Sequence, residues 1–598
     1  DTTGVITATI TEGVLATLTT LTDANSNNAL TITVTDTIVS AEDLNTVTGA
    51  TSLTVDASAA SKVLGSISEV DTLYTGALVS GLGSERIYLS DEGEVLASAV
   101  LAIDTLTDQK VYAAGVTSFR GDQSQLIAIM DAAEAGALAP SDTFTVTITD
   151  NVGADVDVTV LAANIISIRG RIDNVDVTVA GNNVGTLEGS DTDLLAVVTD
   201  QSVILDDNFA VTVTSTAIAA SNVNTIAASA GTVDGTAVTD ITGSSGDVAS
   251  LYSLDASGNV SLSNDEDVSL SDNANIAASI LNEIDGQTSG VITTTTATDI
   301  SGSADALVAA IQSVEILTSG SYNVTVSSGT ASVVQANILD ADTTGVVTAT
   351  ITEGGLATLT TLNDVNGNNN LTVTVTDTSA TASDLSAVDD ITDVAVTATV
   401  VETITGTVSE ILVATSASGI TLDGNYNVIA GDAVSVDESN TLDVRTTGSI
   451  TATITENDIA TLTTLTDVNG NNALTISVTN GSVVASDLSA VDAITSVAVV
   501  ATAVGTITGT ASEIVTAAQA AGITTSTNYA ATVTSGAASV AQANILDGDT
   551  TGAITATIAE GDLATLTTLT DINGLGTTNA LTITVTDGPA AASDLSTV

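Results

Sequence analysis

The sequence predicts a repeat solenoid in which parallel β-strands are joined by short intervening helices, a β-solenoid or α-β solenoid with about 26 residues per rung. Three observations predict it: a segment that recurs at a fixed long interval, an alternation of strand-like and helix-like apolar spacing inside that interval, and a composition that scarcely varies along 598 residues.

The recurring segment is Thr344-Gly-Val-Val-Thr-Ala-Thr-Ile-Thr-Glu353. It returns as Thr447-Gly-Ser-Ile-Thr-Ala-Thr-Ile-Thr-Glu456 and as Thr551-Gly-Ala-Ile-Thr-Ala-Thr-Ile-Ala-Glu560, and a close copy spans Thr3 to Glu12. Its glycines Gly345, Gly448 and Gly552 stand 103 and 104 residues apart.

Each interval subdivides. Ile450, Ala452 and Ile454 alternate with Thr451 and Thr453, the period of a strand with one buried face; Ile459, Leu462 and Leu465 then change to a spacing of three, which suits a short helix. The next steps read as strand Leu474–Thr479 and helix Ser486–Val491, strand Val497–Thr508 and helix Thr510–Ala521, and strand Tyr529–Thr534 and helix Val540–Leu546. Four steps in ~104 residues give about 26 per step and roughly 23 rungs in all. With helices rather than tight turns between them, the strands are expected to be parallel. A doubly wound sheet is the alternative, but it gives no reason for the long repeat.

Helix starts carry their own signal. Thr407-Val-Ser-Glu410, Thr510-Ala-Ser-Glu513, Ser66-Ile-Ser-Glu69 and Ser244-Ser-Gly-Asp247 each place a hydroxyl three residues before a carboxylate, as a capping box requires. By this rhythm residues 1–49 read as regular rungs, 50–340 as an irregular solenoid region, and 341–598 as regular solenoid with the ~104-residue super-repeat. In the irregular region the pattern persists as Val268–Asp272 then Ala277–Asp285, Val291–Asp299 then Asp305–Ile311, and Tyr322–Val326 then Val333–Leu339. The final copy is cut short at Val598 and no signal peptide precedes Asp1, so a longer parent protein is expected.

Composition narrows the function. Asp and Glu number 72 against 7 Lys and Arg, a formal charge of −65, and this field repels nucleic acid and anionic lipid while attracting multivalent cations. Mean hydropathy is +0.42. Apolar stretches such as Val497–Val504 are far shorter than the roughly 18 residues of a membrane-spanning helix, so no membrane insertion is expected. Cys and His are absent, which removes disulfides and thiolate or imidazole metal sites.

Ala277-Ala-Ser-Ile-Leu-Asn-Glu-Ile-Asp-Gly-Gln-Thr-Ser-Gly290, Ile507-Thr-Gly-Thr-Ala-Ser-Glu513 and Val268-Ser-Leu-Ser-Asp272 resemble units of long, repetitive Ala/Thr/Val/Asp-rich bacterial cell-surface proteins, marine cyanobacteria among their sources. The resemblance covers most of the chain at the level of composition and motif. It implies secretion to the cell surface and a role in an S-layer, a matrix fibre or a giant adhesin; it defines no functional residues to carry over.

Two residue sets are candidate sites. Asp23, Asn25 and Asn27, Asp364, Asn366 and Asn368, and Asp467, Asn469 and Asn471 place oxygen ligands at alternate positions, as in the first half of an EF-hand-type calcium loop. Val34, Val375 and Val478 occupy the twelfth place where such loops carry glutamate, the copy Asp571-Ile-Asn573-Gly-Leu575 breaks the pattern, and Asn and Gly also form turns. The acidic runs Asp206-Asp207-Asn208 and Asn264-Asp-Glu-Asp267 are weaker cation candidates. The second set is Lys62, Arg86, Lys110, Arg120, Arg169 and Arg171, six of the seven basic residues: they read either as local ion pairs or as an assembly contact for the acidic face of another copy. For catalysis, Arg169, Arg171, Asp173 and Asp176 are the place where a polysaccharide reaction would be sought, but they read more simply as a salt-bridged rung, and no enzyme is expected.

The function expected is therefore that of a structural subunit of an extracellular surface layer or filament, a stiff acidic solenoid that self-assembles with copies of itself, with calcium as the one cofactor to consider. The alternative is the stalk of a large secreted adhesin that presents a distal binding domain. Ten aromatic residues, with no clustering legible in the sequence, give glycan binding little support.

Overall fold

The computed structural model describes all residues except 1–2, 150–158, 172–176, 180–184, 206–207, 573–578, 590 and 597. Internal contacts divide the chain into two units, Asp1–Ala297 with Ser313–Ser319, and Thr298–Gln312 with Gly320–Val598. Each is built from many short parallel strands alternating with short helices, a repetitive α/β solenoid-like arrangement.

In the first unit Ile38–Ser40, Lys62–Gly65, Arg86–Leu89, Val111–Ala113 and Leu138–Pro140 lie side by side in one parallel sheet. Gly93–Leu96, Val116–Gly121, Thr145–Ile148, Val177–Val179 and Val203–Ile204 form another. The chain visits them alternately: Arg86–Leu89, then Gly93–Leu96, then helix Ala97–Asp104, then back to Val111–Ala113. Pairing is always with the equivalent strand one turn away, so like residues stack. Val39, Val63, Ile87, Val111 and Leu138 form one such column and are all buried. Helices Ala41–Thr48, Ile67–Thr75, Ala97–Asp104 and Gln123–Glu134 pack each against the next and bury Leu44 and Val47, Val70 and Leu73, Val100 and Ile103, and Leu126 and Ile129. Each of these aliphatic side chains contributes about 1.5–3 kcal/mol by burial.

The second unit repeats one design. Two five-stranded sheets lie wholly within it: Ser379–Thr381, Thr403–Gly406, Asn427–Val434, Ile450–Ile454 and Ala473–Thr475 form one, and Ser482–Val484, Thr506–Gly509, Ala530–Val533, Ile554–Thr557 and Ala580–Thr582 the other. The long-interval glycines have a steric cause here. A Cβ on Gly345, Gly448 or Gly552 would lie 2.2, 2.1 or 2.0 Å from the carbonyl oxygen of Tyr322, Tyr426 or Tyr529 in the preceding turn. Beside them the buried hydroxyls of Thr343, Thr446 and Thr550 donate to those same tyrosine carbonyls. Asn337, Asn440 and Asn544 each donate 2.8 Å bonds from a helix to the carbonyls of Thr361, Thr464 and Thr568 one turn on.

Helix starts follow the capping signals. Capping boxes close at Ser66/Glu69, Thr407/Glu410 and Thr510/Glu513, and four more at Asp122/Gln125, Ser332/Gln335, Ser435/Glu438 and Ser539/Gln542. At Ser244 the hydroxyl accepts from Asp247 N at 3.1 Å, and it donates to the Asp247 carboxylate at 2.7 Å, so the cap is local rather than reciprocal.

A second, unexpected carboxylate reaches several helix starts from the turn that follows. The first helical N–H donates to Asp91 from Ile67 (2.7 Å), to Asp377 from Leu356 (2.6 Å), to Asp432 from Val408 (2.7 Å) and to Asp587 from Leu563 (2.6 Å). Val333, Val436 and Val540 do the same to Glu353, Glu456 and Glu560, the closing residues of the recurrent segment. An anion at the positive end of a helix is favourable, and its bond to N–H is charge-assisted.

One expected element is divided. Val497–Thr508, read as a single strand, is two: Val499–Ala501 pairs with Ile523–Thr525, whereas Thr506–Gly509 pairs with Ser482–Val484 and Ala530–Val533. Val504 N–H donates to Ala501 O at 3.1 Å and turns the chain between them. The turn uses Thr502, Ala503, Val504 and Gly505, three of them strand-compatible residues, so the apolar pattern ran through it.

The close approach at Gly448 yields a direct expectation. Gly448→Ala drives a methyl into the Tyr426 carbonyl and is expected to cost about 1–3 kcal/mol in urea unfolding. Gly481 has nothing within 4 Å of an added Cβ, and Gly481→Ala is expected to be neutral or up to about 1 kcal/mol stabilising.

Candidate functional site

Of the candidate calcium loops, the two in the second unit are built alike. Asp364 Oδ1 accepts from Gly367 N (2.7 Å) and Asn368 N (3.2 Å), and its Oδ2 from Asn369 N (3.2 Å). Asp467 accepts in the same way from Gly470, Asn471 and Asn472 at 2.8, 3.2 and 3.1 Å. The left-handed backbone at the fourth position falls on Gly367 and Gly470, with φ of 69° and 70°. The amides of Asn366, Asn368, Asn469 and Asn471 donate back to the carbonyls of Thr343, Thr344, Thr446 and Thr447. In the first unit Asp23 accepts from Asn25 N (3.3 Å) and Asn28 N (2.7 Å), and these bonds with their neighbours hold its carboxyl below the usual aspartate range against opposing desolvation. Asn27 donates to Thr3 O. A cation entering any of these loops competes with backbone donors for the aspartate oxygens, while Asn27 Oδ1 and Asn368 Oδ1 are buried without a hydrogen-bond partner.

The residue after each aspartate was passed over in the sequence. Val365, Val468 and Ile572 are 74%, 70% and 67% exposed, so the loop presents an aliphatic side chain at the same place in three successive copies. The signal was their recurrence at the super-repeat interval. A second device recurs nearby: Asn369, Asn472 and Asn579 donate to Asp340, Asp443 and Asp547 in the last turns of helices Val333–Asp342, Val436–Asp443 and Val540–Asp549.

The basic residues separate into two groups. Arg120 pairs with Glu94 (3.6 Å), Arg169 with Asp200 (3.5 Å), and Arg171 with Asp131 and Glu134 (3.9 Å to the latter). These are local pairs across neighbouring turns, partly exposed and each worth about 0–1 kcal/mol. Asp173 and Asp176, with which Arg169 and Arg171 were grouped, lie outside the described residues, as do Asp206 and Asp207. Lys62, Arg86 and Lys110 have no carboxylate partner among the described residues; they come together on one sheet face, with the Lys62 ammonium 3.8 Å from the Tyr88 ring centroid. Arg445, the seventh, donates to Leu412 O (2.7 Å) and Thr415 Oγ1 (2.8 Å) in the last turns of helix Val408–Ser416.

The acidic run at 264–267 is structural in its main member. Glu266 is buried and accepts from Ser263 N (2.7 Å), Asn264 N (2.9 Å) and the Tyr252 hydroxyl (3.3 Å), while Asp267 accepts from Val291 N in the next turn. Glu85 repeats the arrangement with Gly83 N, Ser84 N and Tyr74, and burial pushes its carboxyl up. Among the described residues no three of His, Cys, Asp and Glu converge as a metal-holding group, and no helix is long and apolar enough to cross a membrane.

No protein-family model matches the chain, and neither does any curated protein.

The capping carboxylates give a pH dependence of definite sign. Thr407 and Thr510 donate N–H and hydroxyl bonds that hold Glu410 and Glu513 below the usual glutamate range. A depressed folded-state value means stability that is present above the unfolded value and lost as pH falls through the folded one. The difference in melting temperature between the natural chain and Glu513→Gln is therefore expected to shrink from pH 6 to pH 3. Titrations common to both proteins cancel in that difference.

Proposed function

We propose that this chain is a structural segment of an extracellular bacterial surface layer or filament, of S-layer type, which works by self-association and performs no catalysis. The observation that carries the reading is a repeated surface feature: Val365, Val468 and Ile572 each expose an aliphatic side chain at the super-repeat interval, and a lattice or fibre needs identical contacts at fixed spacing. Turns near the 26 residues inferred from the repeat support it. Paired residues advance by 24 from Val63 to Ile87, by 27 from Phe119 to Val146 and by 22 from Ala452 to Leu474.

The chemistry agrees. The sequence has neither His nor Cys, and Arg169 and Arg171 are engaged by Asp200 and by Asp131 and Glu134. A net charge of −65 calls for screening or bridging before copies can approach, which is where calcium enters this reading: as a bridge between exposed carboxylates of neighbouring copies, with the Asp364 and Asp467 loops as the second place for it.

Electron microscopy of the purified chain in millimolar calcium, repeated after EDTA, is the test. Ordered sheets or filaments that disperse in EDTA are the expected result. Monomers under both conditions would overturn self-assembly and favour the adhesin stalk; sheets indifferent to EDTA would remove calcium from the reading.

A further inference from the structure

The feature that the reading above leaves unused is the sheet face around Lys62. In the parallel register Ile38 stands beside Lys62 and Lys62 beside Arg86. Lys110 extends the same row, because it precedes Val111, the partner of Ile87. The adjacent outward row holds Ser40, Leu64, Tyr88 and Tyr112. Three of the chain's seven basic residues thus form one ladder, one cation per turn, and among the described residues none of the three has a carboxylate oxygen within 4.0 Å. Ile38 and Leu64 flank it, 55% and 37% exposed.

The aromatic rings narrow what can bind there. Tyr88 and Tyr112 stack face to face, with centroids 4.2 Å apart and planes 6° from parallel, and the Lys62 ammonium covers the other face of Tyr88. Neither face of Tyr88 is free for a sugar ring to lie on, and the Tyr112 face that meets Tyr88 is taken as well. What the ladder offers outward is ammonium, guanidinium and apolar edge, a surface for carboxylates set at the spacing of its own strands. Adjacent strands stand about 4.7–4.9 Å apart in every sheet of this kind, so a second copy carries that spacing without adjustment.

The matching row exists in the same chain. Asp240 and Asp267 pair side by side at the corresponding edge of another sheet, preceding the buried Ile241 and Val268 as Lys62 and Arg86 precede the buried Val63 and Ile87. Both aspartates are exposed. We infer that the Lys62–Arg86–Lys110 ladder is an intermolecular docking face whose occupant is the Asp240–Asp267 row of a second copy of this chain. The inference rests on the proposal of self-assembly and names the contact that drives it. Two successive cations of the ladder meet Asp240 and Asp267 at the same strand spacing, and complementary charge fixes their register. Net repulsion between copies is short-ranged in saline, with a Debye length of about 8 Å at physiological ionic strength.

Sedimentation velocity on the full chain tests it with three proteins: the natural sequence, Lys62→Glu with Arg86→Glu, and Asp240→Lys with Asp267→Lys. Each doubly substituted chain alone is expected to associate at least about tenfold more weakly than the natural one, and an equimolar mixture of the two is expected to recover association. Circular dichroism checks their fold, and Lys62→Gln with Arg86→Gln repeats the loss without charge reversal. If the natural chain associates and the Lys62/Arg86 variants match it, this contact is wrong while self-assembly stands. Loss in both variants without recovery in the mixture overturns the pairing with Asp240 and Asp267. A natural chain that stays monomeric throughout overturns both readings. Polygalacturonate that binds the natural chain, fails to bind the Lys62/Arg86 variants and dissolves existing association would assign the face to an acidic glycan instead.

Discussion

The constraint on which the structure depends is that each strand pairs in parallel with its own equivalent one turn away. Such pairing leaves no freedom in what stacks on what: an inward residue meets inward residues above and below it, and an outward residue meets outward ones. The column Val39, Val63, Ile87, Val111 and Leu138 is one result and the Lys62–Arg86 row is the other. A slip by one residue would exchange the two faces, which is why Val, Ile and Ala alternate so strictly with Thr in segments such as Ile450–Ile454. Where the backbone ladder breaks off, a side chain carries the bond across. The Thr392 hydroxyl donates to Leu371 O and accepts from Leu371 N, both at 2.8 Å, acting as one more peptide group in the ladder.

The same constraint accounts for part of the acidity. Helices that recur once per turn expose their N–H ends at one edge, and the following turn supplies a carboxylate to that edge, as Asp377 does for Leu356 and Glu456 does for Val436. Asn480 takes this place for Ile459, so the position requires an acceptor and gains from a negative one. The other ends of the helices are mostly left without cations; Arg169 and Arg445 are exceptions. An asymmetric requirement of this kind, repeated along the chain, accumulates net negative charge without any ligand being involved.

The fold was legible because its signals are local and repeated. Alternation at Ile450–Ile454, the spacing of Ile459 and Leu462, and the hydroxyl-to-carboxylate caps at Thr407 and Thr510 are all set within a few residues and return in the structure. Less legible were features whose partners lie a turn away. The run Val497–Thr508 concealed a turn because Thr502 and Val504 favour a strand and Ala503 does not break the apolar pattern, and only pairing to two different neighbours divides it. The cation ladder was hidden for a related reason. Lys62, Arg86 and Lys110 fall at intervals of 24, as do Tyr88 and Tyr112, and a spacing of about 26 averaged over the super-repeat does not bring them into one row. The six basic residues were therefore read as a single group, although three form local pairs and three share a face.

Coupling between turns has a consequence for stability that differs from that of a globular core. In a stacked repeat each turn contacts chiefly its neighbours, and stability is close to a sum of turn and interface terms. Most named polar interactions here belong to the interface: Asn440 to Thr464 O, Thr446 to Tyr426 O, and Glu456 to Val436 N each join one turn to the next. Removing one of them leaves the helix or strand that bore it intact but weakens its tie to the neighbouring turn. The damage is then a loss of cooperativity, in which opening stops at the weakened interface instead of spreading. The recurrent segment concentrates these ties, with Thr446 just before it, Gly448 inside it and Glu456 at its end. Its conspicuousness in the sequence thus follows from the number of cross-turn demands placed on ten residues, none of which requires a bound ligand.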